Sequence, residues 1–209
     1  HYSHQPLRAY AFFSYLCKNI FTTMANKKPL FSIITVTFNA AEVLPPTLQS
    51  IKEQTFVDFE HLIIDGASRD NTLDVARNAG IEQMIIHSEP DKGLYDAMNK
   101  SIARAQGDFL IFLNAGDSFA SPNSLYRIAA LASDDVDIIY GQTQIVNNQR
   151  EVIGMRHLSA PTHISPESFK QGMLVCHQAF IPRRSIVPLY DLTYRFSADY
   201  DWCIKCLKV

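Results

Sequence analysis

Four cysteines in 209 residues, at positions 17, 176, 203 and 206, are too few and too irregularly spaced for a disulfide framework. A reducing compartment is expected, with the cytoplasm as the default. The chain also lacks any apolar run of the roughly 18 to 20 residues that a membrane-spanning helix needs, and its longest strongly apolar stretches, such as Phe109 to Leu113, are strand-sized. An excess of positive charge is missing too. With 19 Lys and Arg against 21 Asp and Glu, the formal net charge is −2, and no nucleic-acid partner is expected. Neither GxxxxGK[ST] nor GxGxxG occurs, which removes both standard glycine loops for holding phosphates on a helix N-terminus. What is present is a globular composition, 47% hydrophobic and 19% charged, and a length sufficient for one domain resting on its own core.

Residues 1–29 differ from the rest. They are aromatic-rich, show no clear periodicity and close in Asn26-Lys27-Lys28-Pro29, so they read as an N-terminal extension of unassigned role. Met24 offers an alternative natural start. The short apolar segment Ala9 to Leu16 resembles a signal-peptide core, but only Arg8 precedes it and no small-residue cleavage site closes it. At the other end, Trp202-Cys-Ile-Lys-Cys-Leu207 reads as an unfinished helix, and the chain is expected to be truncated at its C-terminus.

From residue 30 onward strands and helices alternate. Phe31 to Phe38 is a β-branched run suited to a strand buried on both faces, and Leu44, Leu48 and Ile51 recur at helical spacing behind Pro45 and Pro46. His61 to Ile64 reads as the second strand; Asp70 is placed to cap a helix through Ala79, with Gly80 as its stop. Gln83 to His87 is the third strand, Gly93 to Gln106 a helix closed by Gly107, and Phe109 to Leu113 the fourth strand. A helix over 123–132 and a strand from Val136 to Tyr140 complete the series. This alternation predicts an α/β sandwich, with a mostly parallel central sheet and helices on both faces. Beyond Tyr140, Gln142 to Val146 and Val152 to Met155 resemble paired strands, and a Pro-punctuated irregular stretch follows as the acceptor-side part.

In an open α/β sheet, ligands bind beyond the carboxyl ends of the strands. The residues there are polar: Asn39 after the first strand, Asp65 and Asp70 after the second, Asp91 and Asp96 after the third, Asn114 and Asp117 after the fourth. Helix capping accounts for any one of them but not for the set. Without a glycine loop, a phosphorylated ligand among carboxylates needs a bridging divalent cation, Mg²⁺ or Mn²⁺, which points to a metal-chelated diphosphate.

Four stretches in order, Ser32-Ile-Ile-Thr-Val-Thr-Phe-Asn39, Ile63-Ile-Asp-Gly-Ala-Ser-Arg-Asp70-Asn-Thr72, Asp91-Lys-Gly-Leu-Tyr-Asp96-Ala-Met-Asn99 and Phe112-Leu-Asn-Ala-Gly-Asp117, resemble the family 2 glycosyltransferases of GT-A fold. Within that family the chain is similar to bacterial enzymes of exopolysaccharide, O-antigen or colanic-acid type. The resemblance implies a GT-A domain over residues 30–209 that moves a sugar, with inversion, from a nucleoside-diphosphate sugar to the hydroxyl of a saccharide or lipid-linked saccharide acceptor. Peripheral association with the inner face of the cytoplasmic membrane is compatible with it. It also implies that Thr35, Phe38 and Asn39 line the nucleotide pocket, that Asp65 bonds the base with Asp70 and Asp91 shaping the loops, and that Asp96 faces the ribose or sugar. Asn114 and Ala115 then stand in the DxD position with Asp117 as the metal ligand. The sequence departs from the family there, because Asn114 replaces the first aspartate and Asp117 alone remains as an anionic ligand.

Phe196-Ser-Ala-Asp199-Tyr-Asp201-Trp202 resembles the late E-D element of the family, which makes Asp199 the catalytic general base and Asp201 its rival. In Cys176-His177-Gln178, which resembles a stretch of the family preceding the base, His177 is expected to contact the diphosphate, to serve as a further metal ligand, or to sit satisfied in the core. Cys203 and Cys206, at i,i+3, read as two buried thiols rather than as half of a zinc site. A sugar-nucleotide-binding module without transferase activity is the alternative reading.

Overall fold

The computed structural model describes residues 28–209. The readings placed on Ala9 to Leu16, Cys17 and Met24, and so most of the N-terminal extension, lie outside the described residues.

The frame is set by β1 (Phe31–Thr37), whose seven residues are all buried. It pairs in parallel with β2 (Phe59–Asp65), from Phe31 opposite Phe59 to Thr37 opposite Asp65, and on its other side with β4 (Phe109–Phe112). β3 (Met84–Ser88) continues beyond β2, giving the all-parallel order β3-β2-β1-β4. Strands flanked on both edges and covered on both faces have no solvent side, so their sequences carry no alternation of polar and apolar residues.

The two faces are nevertheless distinct, because successive side chains point oppositely. Phe31, Ile33 and Ile63 face α1 (Leu44–Lys52), α2 (Thr72–Arg77) and α4 (Ser124–Ala129) through Leu44, Leu48, Ile51, Ala76 and Leu125. Ile34, Val36, Leu62 and Phe112 face α3 (Leu94–Arg104) and α5 (Ala198–Cys206) through Ala97, Met98, Trp202 and Cys203. The αβα sandwich follows. Pro45 and Pro46 sit in the first turn of α1, where a missing N–H costs nothing.

Several boundaries differ from the sequence reading. α2 ends at Arg77, two residues before Ala79, and α4 spans only Ser124–Ala129. Gly107 is not the helix-stopping glycine: α3 ends at Arg104 and Ala105 is already extended. Its role is steric, since a Cβ there would lie 2.4 Å from Ser32 N and 2.5 Å from the Phe31 carbonyl carbon. The loop before β4 is thus pressed against β1, and buried Glu60 holds it by accepting the N–H groups of Gln106 and Gly107.

β5 (Ile138–Tyr140) does not extend the parallel sheet. It pairs antiparallel with β8 (Phe180–Pro182), forty residues on, and this ribbon joins the β4 edge through a bridge between Phe109 and Arg183. β6 (Gln144–Val146) and β7 (Val152–Met155) form the expected pair as an exposed antiparallel hairpin. Turns of 3₁₀ helix at 166–171, 177–179 and 184–186 carry the chain to α5. Both α5 cysteines are buried, as read.

Candidate active site

Parallel register puts the ends of β1, β2, β3 and β4 at one edge, and each strand there hands over to a polar turn. After β2, the Asp65 carboxylate is buried and accepts four hydrogen bonds: from the Thr37 hydroxyl (3.0 Å), the Ser88 hydroxyl (2.7 Å), the Ser68 N–H (2.9 Å) and the Ser68 hydroxyl. Burial pushes its pKa up, but hydrogen bonds from the Ser68 and Ser88 hydroxyls, the Ser68 N–H and Thr37 outweigh it and hold the group below the usual carboxylate range. Asp65 thereby organises its own loop, with Ala67 at φ 59°.

Ser68 Oγ also accepts the Asn39 N–H (2.8 Å), and Asn39 Oδ1 accepts the Arg69 N–H (2.9 Å), which locks the end of β1 to the β2 loop with Asn39 at φ 49°. Asp70 completes the tie by accepting the N–H groups of Thr72 (3.0 Å) and Ala41 (3.1 Å). The Thr72 hydroxyl, which also donates to it, is the main cause of its lowered pKa.

A cleft of about 410 Å³ opens between these turns. Val36, Thr37 and Phe38 of the first strand, Gly66 of the second loop, and Pro90, Asp91, Gly93 and Leu94 of the third form its walls. Phe38 is 65% exposed at the rim, where a stacking surface for a flat ring is available. Gly66 lets Asp91 approach closely, since a Cβ would stand 2.4 Å from Asp91 Oδ2 and the carboxylate would have to move. Asp91 is held in turn by the Gly93 N–H on Oδ1 (2.8 Å).

Two expected lining residues are elsewhere. Thr35 is fully buried, and its hydroxyl pairs with His61 Nε2 at 3.1 Å inside the sheet, two residues short of the strand end where Thr37 meets the cleft. Asp96 turns back on its own helix, accepting the Lys92 N–H (3.0 Å) and pairing with Lys100 (3.4 Å). The Lys92 N–H is the main cause of its lowered pKa. It fixes the start of α3 rather than facing the cleft. Lys100, bonded to Pro90 O at 2.7 Å, ties down the same loop.

After β4, the turn Asn114 to Asp117 is closed by the Asp117 N–H on Asn114 O (3.0 Å), with Gly116 at φ 101°. Ala115 packs into the cluster of Leu44, Leu48 and Ile63. Thr47 of α1 clamps the turn, its hydroxyl donating to Asp117 O (2.7 Å) and accepting the Gly116 N–H (2.9 Å). The Asp117 carboxylate accepts from Gln178 Nε2 at 2.8 Å. Arg150, on the β6–β7 hairpin, donates to Gly116 O at 2.7 Å. Thr47, Arg150 and Gln178 are site residues that sequence reasoning missed; only Gln178 had a signal, as the neighbour of His177.

His177 is corrected to a core residue. It is buried among Phe112, Tyr190 and Trp202, with Nε2 paired to the Tyr190 hydroxyl at 2.7 Å. Burial lowers its pKa to about 4 against the opposing charge of Asp199, so the ring is neutral.

A divalent cation is implied by the resemblance, and the donor set can be tested against it. Among the described residues no group of three or more His, Cys, Asp and Glu is placed to hold a metal. The turn does offer the Asp117 carboxylate together with Asn114 Oδ1, a buried acceptor with no hydrogen-bond partner. One carboxylate plus one neutral oxygen suits a cation that takes its remaining ligands from phosphates and water.

At the first turn of α5, entered through Ser197 at φ 63°, Asp199 and Asp201 part company. Asp201 is spent on Lys205, 2.7 Å away on the same helix. Asp199 faces α3 and accepts the Tyr95 hydroxyl at 3.1 Å.

Comparison with known proteins places this geometry. The sequence pattern of glycosyl transferase family 2 matches residues 32–187. The PGL/p-HBAD biosynthesis glycosyltransferase of Mycobacterium bovis (strain BCG / Pasteur 1173P2) is 40% identical over 189 residues, covering 86% of this chain and 70% of the relative. Among solved structures, S. aureus TarS 1-349 in complex with UDP-GlcNAc superposes with a TM-score of 0.67 at 19% identity, over 85% of this chain and 53% of TarS. The mannosyltransferase PcManGT from Pyrobaculum calidifontis, in complex with GDP-Man and Mn²⁺, gives a TM-score of 0.55 at 17% identity, over 78% of this chain and 49% of PcManGT. The chain thus spans seven-tenths of its mycobacterial relative and about half of these structural neighbours. The family pattern and the mycobacterial relative together establish that this chain belongs to glycosyl transferase family 2, on a GT-A fold, and is a glycosyltransferase.

Proposed function

We propose that this glycosyltransferase moves a sugar, with inversion at the anomeric carbon, from a nucleoside-diphosphate sugar to a hydroxyl of a saccharide or lipid-linked saccharide, in the synthesis of cell-surface polysaccharide. The observation that carries the reading is the cleft at the strand ends, walled by Phe38, Gly66 and Asp91, on the edge that also bears the Asp117 turn. TarS and PcManGT were solved with UDP-GlcNAc and with GDP-Man, which supports a nucleotide-sugar donor here.

In this reading Phe38 stacks on the base, the Asp65–Asp70 loop shapes the nucleoside pocket, and Asp91 lines it. Asp117, steadied by Gln178 and Thr47, and Asn114 through Oδ1 would hold Mg²⁺ or Mn²⁺. Such a cation supplies charge neutralisation for the departing diphosphate. Asp199 is the general base: its carboxylate takes the proton of the acceptor hydroxyl as the new C–O bond forms and the bond to the diphosphate breaks. Asp201 is disfavoured because Lys205 already neutralises it. Peripheral work at the inner face of the cytoplasmic membrane belongs to the same proposal.

Donor turnover tests it, with UDP- and GDP-sugars and Mn²⁺. Asp117→Ala and Asp199→Asn should each lower turnover by at least about 100-fold. Wild-type protein that binds nucleoside diphosphate but turns over no donor would support a non-catalytic binding module instead.

A further inference from the structure

Among the described residues no charged side chain pairs with Asp199. The titratable groups around it are Tyr95 from α3, His177 from the 177–179 turn, Tyr190 from the loop before α5 and Cys203 one turn along α5. Burial drives the imidazole of His177 down and pushes both phenols and the Cys203 thiol up, so all four are neutral near pH 7. The nearest charges on α5, Asp201 and Lys205, neutralise one another. The Tyr95 hydroxyl therefore supplies the hydrogen bond that the Asp199 carboxylate accepts.

That hydroxyl cannot wander. The Tyr95 ring stacks on Tyr190 (5.6 Å between centroids, 24° between planes), and Tyr190 stacks on Trp202 (4.8 Å, 10°), which lies one turn beyond Asp199 on α5. Asn99, one turn beyond Tyr95 on α3, grips the Tyr190 backbone from both sides, accepting its N–H at 2.7 Å and donating to its C=O at 3.0 Å. Trp202 Nε1 donates to Pro188 O at 2.8 Å. The circuit from Asp199 through Tyr95, Tyr190 and Trp202 back along α5 is closed. Its α3 end is also the wall of the cleft, at Gly93 and Leu94.

We propose that Tyr95 is a positioning residue for the base: it fixes the Asp199 carboxylate relative to the donor cleft, keeping its own proton throughout the reaction. The inference rests on Asp199 being the base. Losing the hydroxyl should leave the carboxylate freer to rotate.

Tyr95→Phe keeps the ring and its stacking while deleting one oxygen. Turnover at neutral pH is expected to fall about 10-fold or more, with donor KM and nucleoside-diphosphate affinity within about two-fold of wild type. The Tm of the variant should stay within about 2 °C of wild type, because the ring and its stacking remain. An unchanged kcat would overturn the inference. So would a loss of kcat and nucleotide affinity in parallel with a lowered Tm, since that pattern belongs to a packing residue. Asp199→Asn separates the two levels: full turnover in that variant removes the base and the inference together, whereas an inactive Asp199→Asn beside a wild-type-like Tyr95→Phe ends this inference alone.

Discussion

At the scale of single residues, side chains on the rim divide into those that shape it and those free to meet a ligand. Asp65, Asp70 and Asp96 spend their oxygens on neighbouring hydroxyls and N–H groups. Phe38 and Asp91 remain at the cleft, and Gly66 is the point where those two approach. Gly66→Ala would put a methyl group where Asp91 Oδ2 now lies, and a carboxylate at the end of a rotatable side chain can move aside at little cost. Stability should then change by less than about 1 kcal/mol, while nucleoside-diphosphate affinity drops about 10-fold. Parallel calorimetric and thermal titrations of the variant check both halves. The sequence made the acidic residues visible but not their division of labour. Whether an aspartate is free depends on hydroxyls such as Ser88 and Thr37, 23 and 28 positions away along the chain. Thr35 lies off the cleft and His177 in the core for the same kind of reason: the depth of a strand residue and the inside of an aromatic cluster are decided by packing partners far along the chain.

At the scale of elements, β1, β2 and β4 were legible because short runs rich in Ile, Leu, Val and Phe, such as Leu62 to Ile64 and Phe109 to Phe112, suit a doubly covered parallel strand. The partner of β5 was not legible, since β8 is a three-residue strand that begins forty positions later and has no periodicity of its own. The junction of α3 with β4 shows how a local reading can find the right glycine for the wrong reason. Gly107 follows a helix, yet the backbone of β1 is what excludes a side chain there. Gly107→Ala meets main chain rather than a movable side chain, so a cost of about 2 kcal/mol is expected, or roughly 4–8 °C in Tm. Nucleoside-diphosphate affinity should hold in the fraction that folds, because this junction lies at the end of the sheet away from the cleft. A thermal melt with no loss would mean that the loop yields more easily than its contacts suggest.

At the scale of the whole molecule, the interior carries two neutral histidines. Burial holds His61 at about 3 and His177 at about 4, the latter against the opposing pull of Asp199. Below pH 6.5 the unfolded chain takes up protons that the folded chain refuses, so stability must fall with pH across the window from about 6.5 toward 4. The slope approaches ~1.4 kcal/mol per pH unit for each histidine, before ordinary carboxylates begin to titrate. Asp65, with its lowered pKa, adds a further loss only at more acid pH, as its folded form is finally protonated. Thermal melts at pH 7.0, 6.0 and 5.0 should show a falling Tm, and His61→Gln should flatten that fall. Equal pH dependence in wild type and variant would exclude His61 as a source.

The rim works as one unit only if the Asp117 turn and the cleft serve the same ligand. Calorimetric titration of wild-type protein and Asp117→Ala with UDP and with GDP, each with and without Mn²⁺, measures that coupling. The account predicts that Mn²⁺ tightens nucleoside-diphosphate binding at least about 10-fold in the wild type and that Asp117→Ala erases the gain. Binding that ignores the metal, or a metal gain that survives the loss of Asp117, would contradict it.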